Sequence, residues 1–126
     1  MVTWILWALI LAMLAWIGFN YLRIRRAAKI VDNEEFEALI RTGQLIDLRD
    51  PAEFHRKHIL GARNIPSSQL KTSLAALRKD KPVLLYENQR AQRVTNAALY
   101  LKKQGFSEIY ILSYGLDSWK GKVKTS

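Results

Sequence analysis

KPVLLYENQRAQRVTNAALYLKKQGF, residues 81–106, decides how this chain folds. Val83-Leu84-Leu85-Tyr86 is a short apolar run opened by Pro82, the pattern of a fully buried strand. From Val94 onward Val94, Ala97, Ala98 and Leu101 recur at helical spacing, and Gly105 supplies the stop. Between them, Glu87-Asn88-Gln89-Arg90-Ala91-Gln92-Arg93 has almost nothing to bury. A polar loop that ends a buried strand and opens a helix gathers free backbone N–H groups around one point, a geometry that favours anions. These seven residues are the candidate ligand-binding loop, and two of them are arginines.

The flanking segments repeat the alternation. Residues 108–112 (EIYIL) read as the last strand. Before residue 81, Ser67 or Ser68 can cap a helix that buries Leu70, Leu74 and Leu77. Its end carries Arg78, Lys79 and Lys81, where cations suit the helix dipole. Residues 44–48 read as a buried strand. Ahead of it, Asp32 or Asn33 can cap a helix with Phe36, Leu39 and Ile40 on one face and Gly43 past its end. A first strand or extended turn falls at 28–31. Strands and helices in alternation predict an α/β domain with a small, mainly parallel sheet flanked by helices. Right-handed crossovers then put the polar loop at the carboxyl ends of the strands, where such sheets bind ligands.

Residues 2–22, VTWILWALILAMLAWIGFNYL, hold no charge. As a helix they span roughly 31 Å, the thickness of a bilayer's hydrocarbon core. Trp4 and Trp7 lie toward one end and Tyr21 toward the other, as interfacial rings do. A cleaved signal peptide is the rival reading, but no positive residue precedes the apolar run and no small-x-small cleavage pattern comes after it. The run gives way instead to Arg23, Arg25, Arg26 and Lys29, a stop-transfer cluster that the positive-inside rule keeps in the cytoplasm. The expectation is a single-pass cell-membrane anchor over 1–22, a basic juxtamembrane segment over 23–29 that meets anionic lipid, a cytoplasmic domain over 30–122 and a tail over 123–126.

Charge and cysteine narrow the function. Lys and Arg total 20 against 11 Asp and Glu, and all of them lie beyond residue 22, so the domain side carries the whole +9. A solvated surface held near anionic lipid explains that balance, and a small anion or a protein partner are the other readings. Scattered Lys and Arg without aromatic interleaving argue against nucleic acid. There are no cysteines, which excludes disulfides, thiolate metal sites and every cysteine nucleophile. His55 and His58 stand without clustered carboxylates at ligand spacing, so neither a metal nor a cofactor is expected.

Residues 46–66, IDLRDPAEFHRKHILGARNIP, resemble the signature of the rhodanese-like domain. The matching residues are Asp47, Arg49, Glu53, Phe54, His58, Ile59, Gly61, Ala62, Asn64, Ile65 and Pro66. Near the end, Tyr114-Gly115-Leu116-Asp117-Ser118-Trp119 resembles the family's Gly-Gly-x-x-x-Trp close, with Tyr114 in place of the first glycine. Together the matches cover about residues 30 to 122. Most of these positions read as structural. Asp47 and Arg49 form a charge-assisted brace where a strand meets a loop. His58 braces the Gly61 turn, Gly61 supplies a backbone shape closed to side chains, and Trp119 covers the core.

The chain departs from the family at its loop. The resemblance implies a Cys there that carries sulfur as a persulfide, in a Cys-x-x-Gly-x-Arg or Ser loop. Counted from the strand, Glu87 takes the Cys position; counted back from Gly105, Asn88 does. Arg90 stands where the glycine is expected. Neither candidate can form a persulfide, so this polypeptide alone does not perform that transfer. A Glu at a helix N-terminus can instead occupy the anion site from within, and Glu87→Gln is then expected to open it to sulfate or phosphate. A drifted loop with solvated side chains is the alternative. The expected function is a membrane-tethered, non-catalytic binding or regulatory module. The alternative is an accessory in sulfur transfer acting with a partner's cysteine.

Overall fold

The computed structural model describes residues 2–88 and 92–125. Helix α1 (Val2–Ala27) runs five residues past the expected anchor, so the basic segment begins as helix. Val2–Arg23 is long and apolar enough to cross a membrane and none of it is buried, features that a signal sequence shares. After Ala28 comes strand β1 (Lys29–Val31), then α2 (Asn33–Ile40) and β2 (Gln44–Asp47). Asp32 caps α2, its carboxylate accepting from the Glu35 N–H at 2.9 Å. Helix α3 (Pro51–Arg56) leads into β3 (Lys57–Ile59) and β4 (Arg63–Asn64). Strand β5 (Val83–Tyr86), helix α4 (Gln92–Lys103), β6 (Ile109–Leu112) and β7 (Val123–Thr125) complete the order.

Five strands form one parallel sheet in the order β1-β6-β5-β2-β4. Strand β5 is central, with Leu84 beside Leu45 on one neighbour and Tyr110 on the other. All four of its residues are fully buried. Alternation sends Val83 and Leu85 to the layer with α4, and Leu84 and Tyr86 to the layer with Phe36 of α2. Val94, Ala97, Ala98 and Leu101 of α4 are buried against the first face, as their spacing requires. Because β5 runs parallel to β2 and β6, Glu87 and Asn88, which follow it, lie at the carboxyl end of the sheet, beside the ends of those two strands.

Three expectations change. The α-helix after Pro66 is instead two 3₁₀ segments, Ser67–Gln69 and Lys71–Ala76, and neither Ser67 nor Ser68 caps with its side chain. The bonds Ser73 N–H to Leu70 and Leu77 N–H to Leu74 close three-residue turns. Leu70 and Leu77 are nonetheless buried, because the apolar spacing serves either helix. Strands β3 and β4 lie inside the signature stretch, where two or three residues are too few to show a period. The expected tail holds β7, which pairs antiparallel with β3.

Candidate binding site

Asp47 ends β2 with its carboxylate wholly buried. Arg49, 4 % exposed, folds back over it: Nε lies 3.1 Å from both carboxylate oxygens and Nη2 lies 2.8 Å from Oδ2. The Arg49 backbone N–H adds a bond of 2.8 Å to the same carboxylate. Burial opposes the guanidinium charge, yet Asp47 holds the Arg49 pKa above its ordinary value. Tyr86, at the end of β5, accepts from the Ile59 N–H at 3.1 Å. Burial first and Asp47 second push its hydroxyl pKa up, so it stays protonated. Asn64 closes the turn, its amide donating to the carbonyls of Asp47 and Arg49. The brace expected of Asp47 and Arg49 is present, and it extends to Tyr86 and Asn64, which the sequence placed only in the buried strand and in the signature.

From this brace a chain of bonds reaches the loop. Arg49 Nη1 donates to Asn88 Oδ1 at 3.0 Å, and Asn88 Nδ2 donates to Glu53 Oε2 at 3.1 Å. Arg49 Nη2 also donates to the Lys57 carbonyl. Asn88 thus lies in an open cleft of about 390 Å³ with Arg49, Glu53, Arg56, Lys57, Leu116 and Asp117 around it. The cleft sits at the carboxyl end of the sheet and carries charges of both signs. Arg56, Lys57 and Asp117 are members that composition alone could not single out.

Glu87 turns the other way. Its carboxylate is buried, 8 % exposed, and Oε2 accepts from the Val94 N–H at the start of α4 at 3.0 Å. Glu87 and Asn88, the two candidates for one family position, therefore part company: one side chain faces the helix N-terminus, the other the cleft. Burial raises the Glu87 pKa, and the Val94 N–H and the exposed Arg93 offset only part of that rise. Among the described residues the cradle supplies one N–H donor to Glu87. Gln89, Arg90 and Ala91 lie outside the described residues, as does the side chain of Gln92.

The raised pKa has a testable sign. A carboxyl whose folded pKa exceeds its ordinary 4.5 contributes most to stability below that pH and loses the contribution as pH rises through the folded value. Glu87→Gln keeps the shape and cannot ionise. The variant is expected to melt above the parent at pH 7, with the two curves converging below pH 4.5. Thermal melts across pH 4–8 read this out.

The remaining signature residues are held in place by packing. His58 stacks on Phe54 with ring centroids 3.8 Å apart, and its Nδ1 pairs with the Phe54 carbonyl at 2.8 Å. It braces the α3–β3 join and not the Gly61 turn, because its ring points back along the chain. Gly61 adopts φ +92°, closed to most side chains although the space around it is open. Pro66 is buried and starts the 3₁₀ turn, accepting from the Gln69 N–H. Trp119 meets Phe36 edge to face at 5.9 Å and covers that core layer. Gly115 stood in the sequence only as one glycine of the closing signature. At φ +69° it lets its turn press on the loop, so that Leu116 and Asp117 donate to the Glu87 and Asn88 carbonyls at 2.7 and 3.0 Å.

This arrangement has relatives. The family model described as Rhodanese-like domain matches residues 32–122. The uncharacterized protein YqhL of Bacillus subtilis is 50% identical over 105 residues, covering 83% of this chain and 82% of its own. The thiosulfate sulfurtransferase GlpE of Stutzerimonas stutzeri is 36% identical over 95 residues, covering 73% of this chain and 84% of its own. Among solved structures, the full-length protein from Lactobacillus plantarum superposes with a TM-score of 0.71 at 23% identity, covering 91% of this chain and 98% of its own. A rhodanese-related protein of Thermoplasma volcanium gives a TM-score of 0.70 at 23% identity, covering 78% of this chain and 99% of its own. With no cysteine anywhere in the sequence, and with its signature residues braced as described, this chain belongs to the rhodanese-like domain family.

Proposed function

We propose that this protein is a membrane-tethered, non-catalytic rhodanese-like module that binds a protein or a small anion at the cytoplasmic face. The observation that carries the reading is the loop after β5. No residue of the chain can hold sulfur as a persulfide, and Glu87 places a buried carboxylate on the Val94 N–H that opens α4. In this reading Glu87 is a resident anion, and ligands meet the neighbouring cleft over Asn88 instead. The apolar run Val2–Arg23 supports the tether, and the basic residues after it support the cytoplasmic orientation and contact with anionic lipid.

The geometry also revises one expectation. Gln is the same shape as Glu, so Glu87→Gln would leave the cradle occupied; only a shorter side chain vacates it. Purified full-length protein is expected to turn over no thiosulfate above the buffer rate. Turnover by the chain alone would overturn the non-catalytic reading. The GlpE relative, a thiosulfate sulfurtransferase, favours a second reading, an accessory that works with a partner's cysteine. Acceleration of a cysteine-bearing sulfurtransferase on mixing would select it.

A further inference from the structure

Strand β7 has an open outer edge. The register pairs Ile59 with Val123 and His58 with Lys124, and the Leu60 N–H donates to the Lys122 carbonyl at 3.0 Å. Residues 60 and 122 are therefore a hydrogen-bonded pair, and by antiparallel alternation so are His58 and Lys124. The backbone groups that point away from this ladder belong to Lys57 and Ile59 on β3, and to Val123 and Thr125 on β7. On β3 they face the domain and are met: Ile59 donates to the Tyr86 hydroxyl and Lys57 accepts from Arg49. On β7, no hydrogen bond among the described residues meets those of Val123 or Thr125.

The edge is also cationic. Lys120, Lys122 and Lys124 are all exposed, and across the ribbon exposed Arg56 and Lys57 continue the charge into the cleft. None of the five makes an ion pair among the described residues. Leu60, 49% exposed, sits opposite Lys122 and adds an apolar contact. Lysines on an edge strand repel a second copy of the same edge. They attract a strand of opposite charge, and unpaired edge amides give that strand its backbone bonds.

We propose that β7 is a docking edge for an acidic, extended protein segment, which adds as a third strand on Val123 and Thr125 with its carboxylates over Lys122 and Lys124. The proposal names the partner class for the binding-module reading and rests on it. The test uses the full chain in nanodiscs of phosphatidylcholine, with a short alternating Glu–Val peptide as the probe. Alternating Lys–Val and backbone N-methylated Glu–Val peptides are the controls. The Glu–Val peptide is expected to bind saturably and to slow amide exchange at Val123 and Thr125, while both controls fail. Lys122→Glu with Lys124→Glu is expected to weaken binding by about tenfold or more, chiefly at low salt. Thr125→Pro removes one outward N–H without touching a ladder bond and is expected to weaken binding with the charges intact.

No binding, binding that ignores these variants, or binding without protection of Val123 and Thr125 would overturn the proposal. So would capture of phosphatidylglycerol vesicles in place of the peptide, which would make the patch a lipid surface, or self-association through β7. None of these outcomes bears on thiosulfate turnover, so a failed docking edge and a failed non-catalytic reading are told apart.

Discussion

Replacing Asp47 by alanine is expected to lower the unfolding free energy by about 3–5 kcal/mol, the cost of removing one partner from a buried ion pair. Asp47 has no exposed surface, and its carboxylate takes the Arg49 Nε, Nη2 and backbone N–H. Without it the guanidinium stays buried at the end of β2 with its charge uncompensated. The loss then spreads to Asn88, which Arg49 orients, and to the cleft that Asn88 floors. Urea denaturation of the variant measures the drop. A change under about 1 kcal/mol, the size found for exposed pairs, would mean that the brace is solvated and the description of the site is wrong. The exposed pair Arg78–Asp80 is the internal comparison: Asp80→Ala is expected to cost little.

Gly115→Ala is the second large effect. A Cβ there would lie 2.4 Å from the Asn88 oxygen, 2.5 Å from its carbonyl carbon and 2.6 Å from the Glu87 oxygen. These are backbone atoms and cannot turn aside. The residue also holds φ +69°, which costs a non-glycine residue of order 1–3 kcal/mol. If the turn retreats, it gives up the Leu116 and Asp117 bonds to the loop, at about 1 kcal/mol each. A total of about 3–5 kcal/mol is expected from these terms, with altered near-ultraviolet dichroism as Trp119 shifts on Phe36. Gly61→Ala, at φ +92° with nothing nearby, is expected to cost only the backbone strain. Equal losses at the two glycines would show that the clash at Gly115 is not real.

The strand-loop-helix over residues 81–106 was legible because burial imposes a period. Val83 to Tyr86 are buried on both faces, and Val94 to Leu101 repeat at helical spacing. Asp32 was legible as a cap because the capping bond is local, three residues away. Strands β3, β4 and β7 were not legible, since two or three residues carry no period, and the pairing of β3 with β7 joins positions more than sixty residues apart. The direction of Glu87 and Asn88 was likewise hidden. It is set by Arg49, Glu53 and Val94, at separations of 39, 35 and 7 residues. Gly115 looked like one half of a glycine pair, and its closeness to the loop backbone is a tertiary fact.

The most direct test of the account is whether Glu87 keeps foreign anions off the start of α4. The measurement is an amide NMR titration of the full-length protein and of Glu87→Ala with thiosulfate, sulfate and phosphate, tracking the Val94 N–H. Val94 is expected not to shift in the parent at millimolar anion, and to shift saturably in the variant while the Phe36 and Leu85 amides stay unmoved. A saturable Val94 shift in the parent, or no shift in a folded Glu87→Ala, would contradict that expectation.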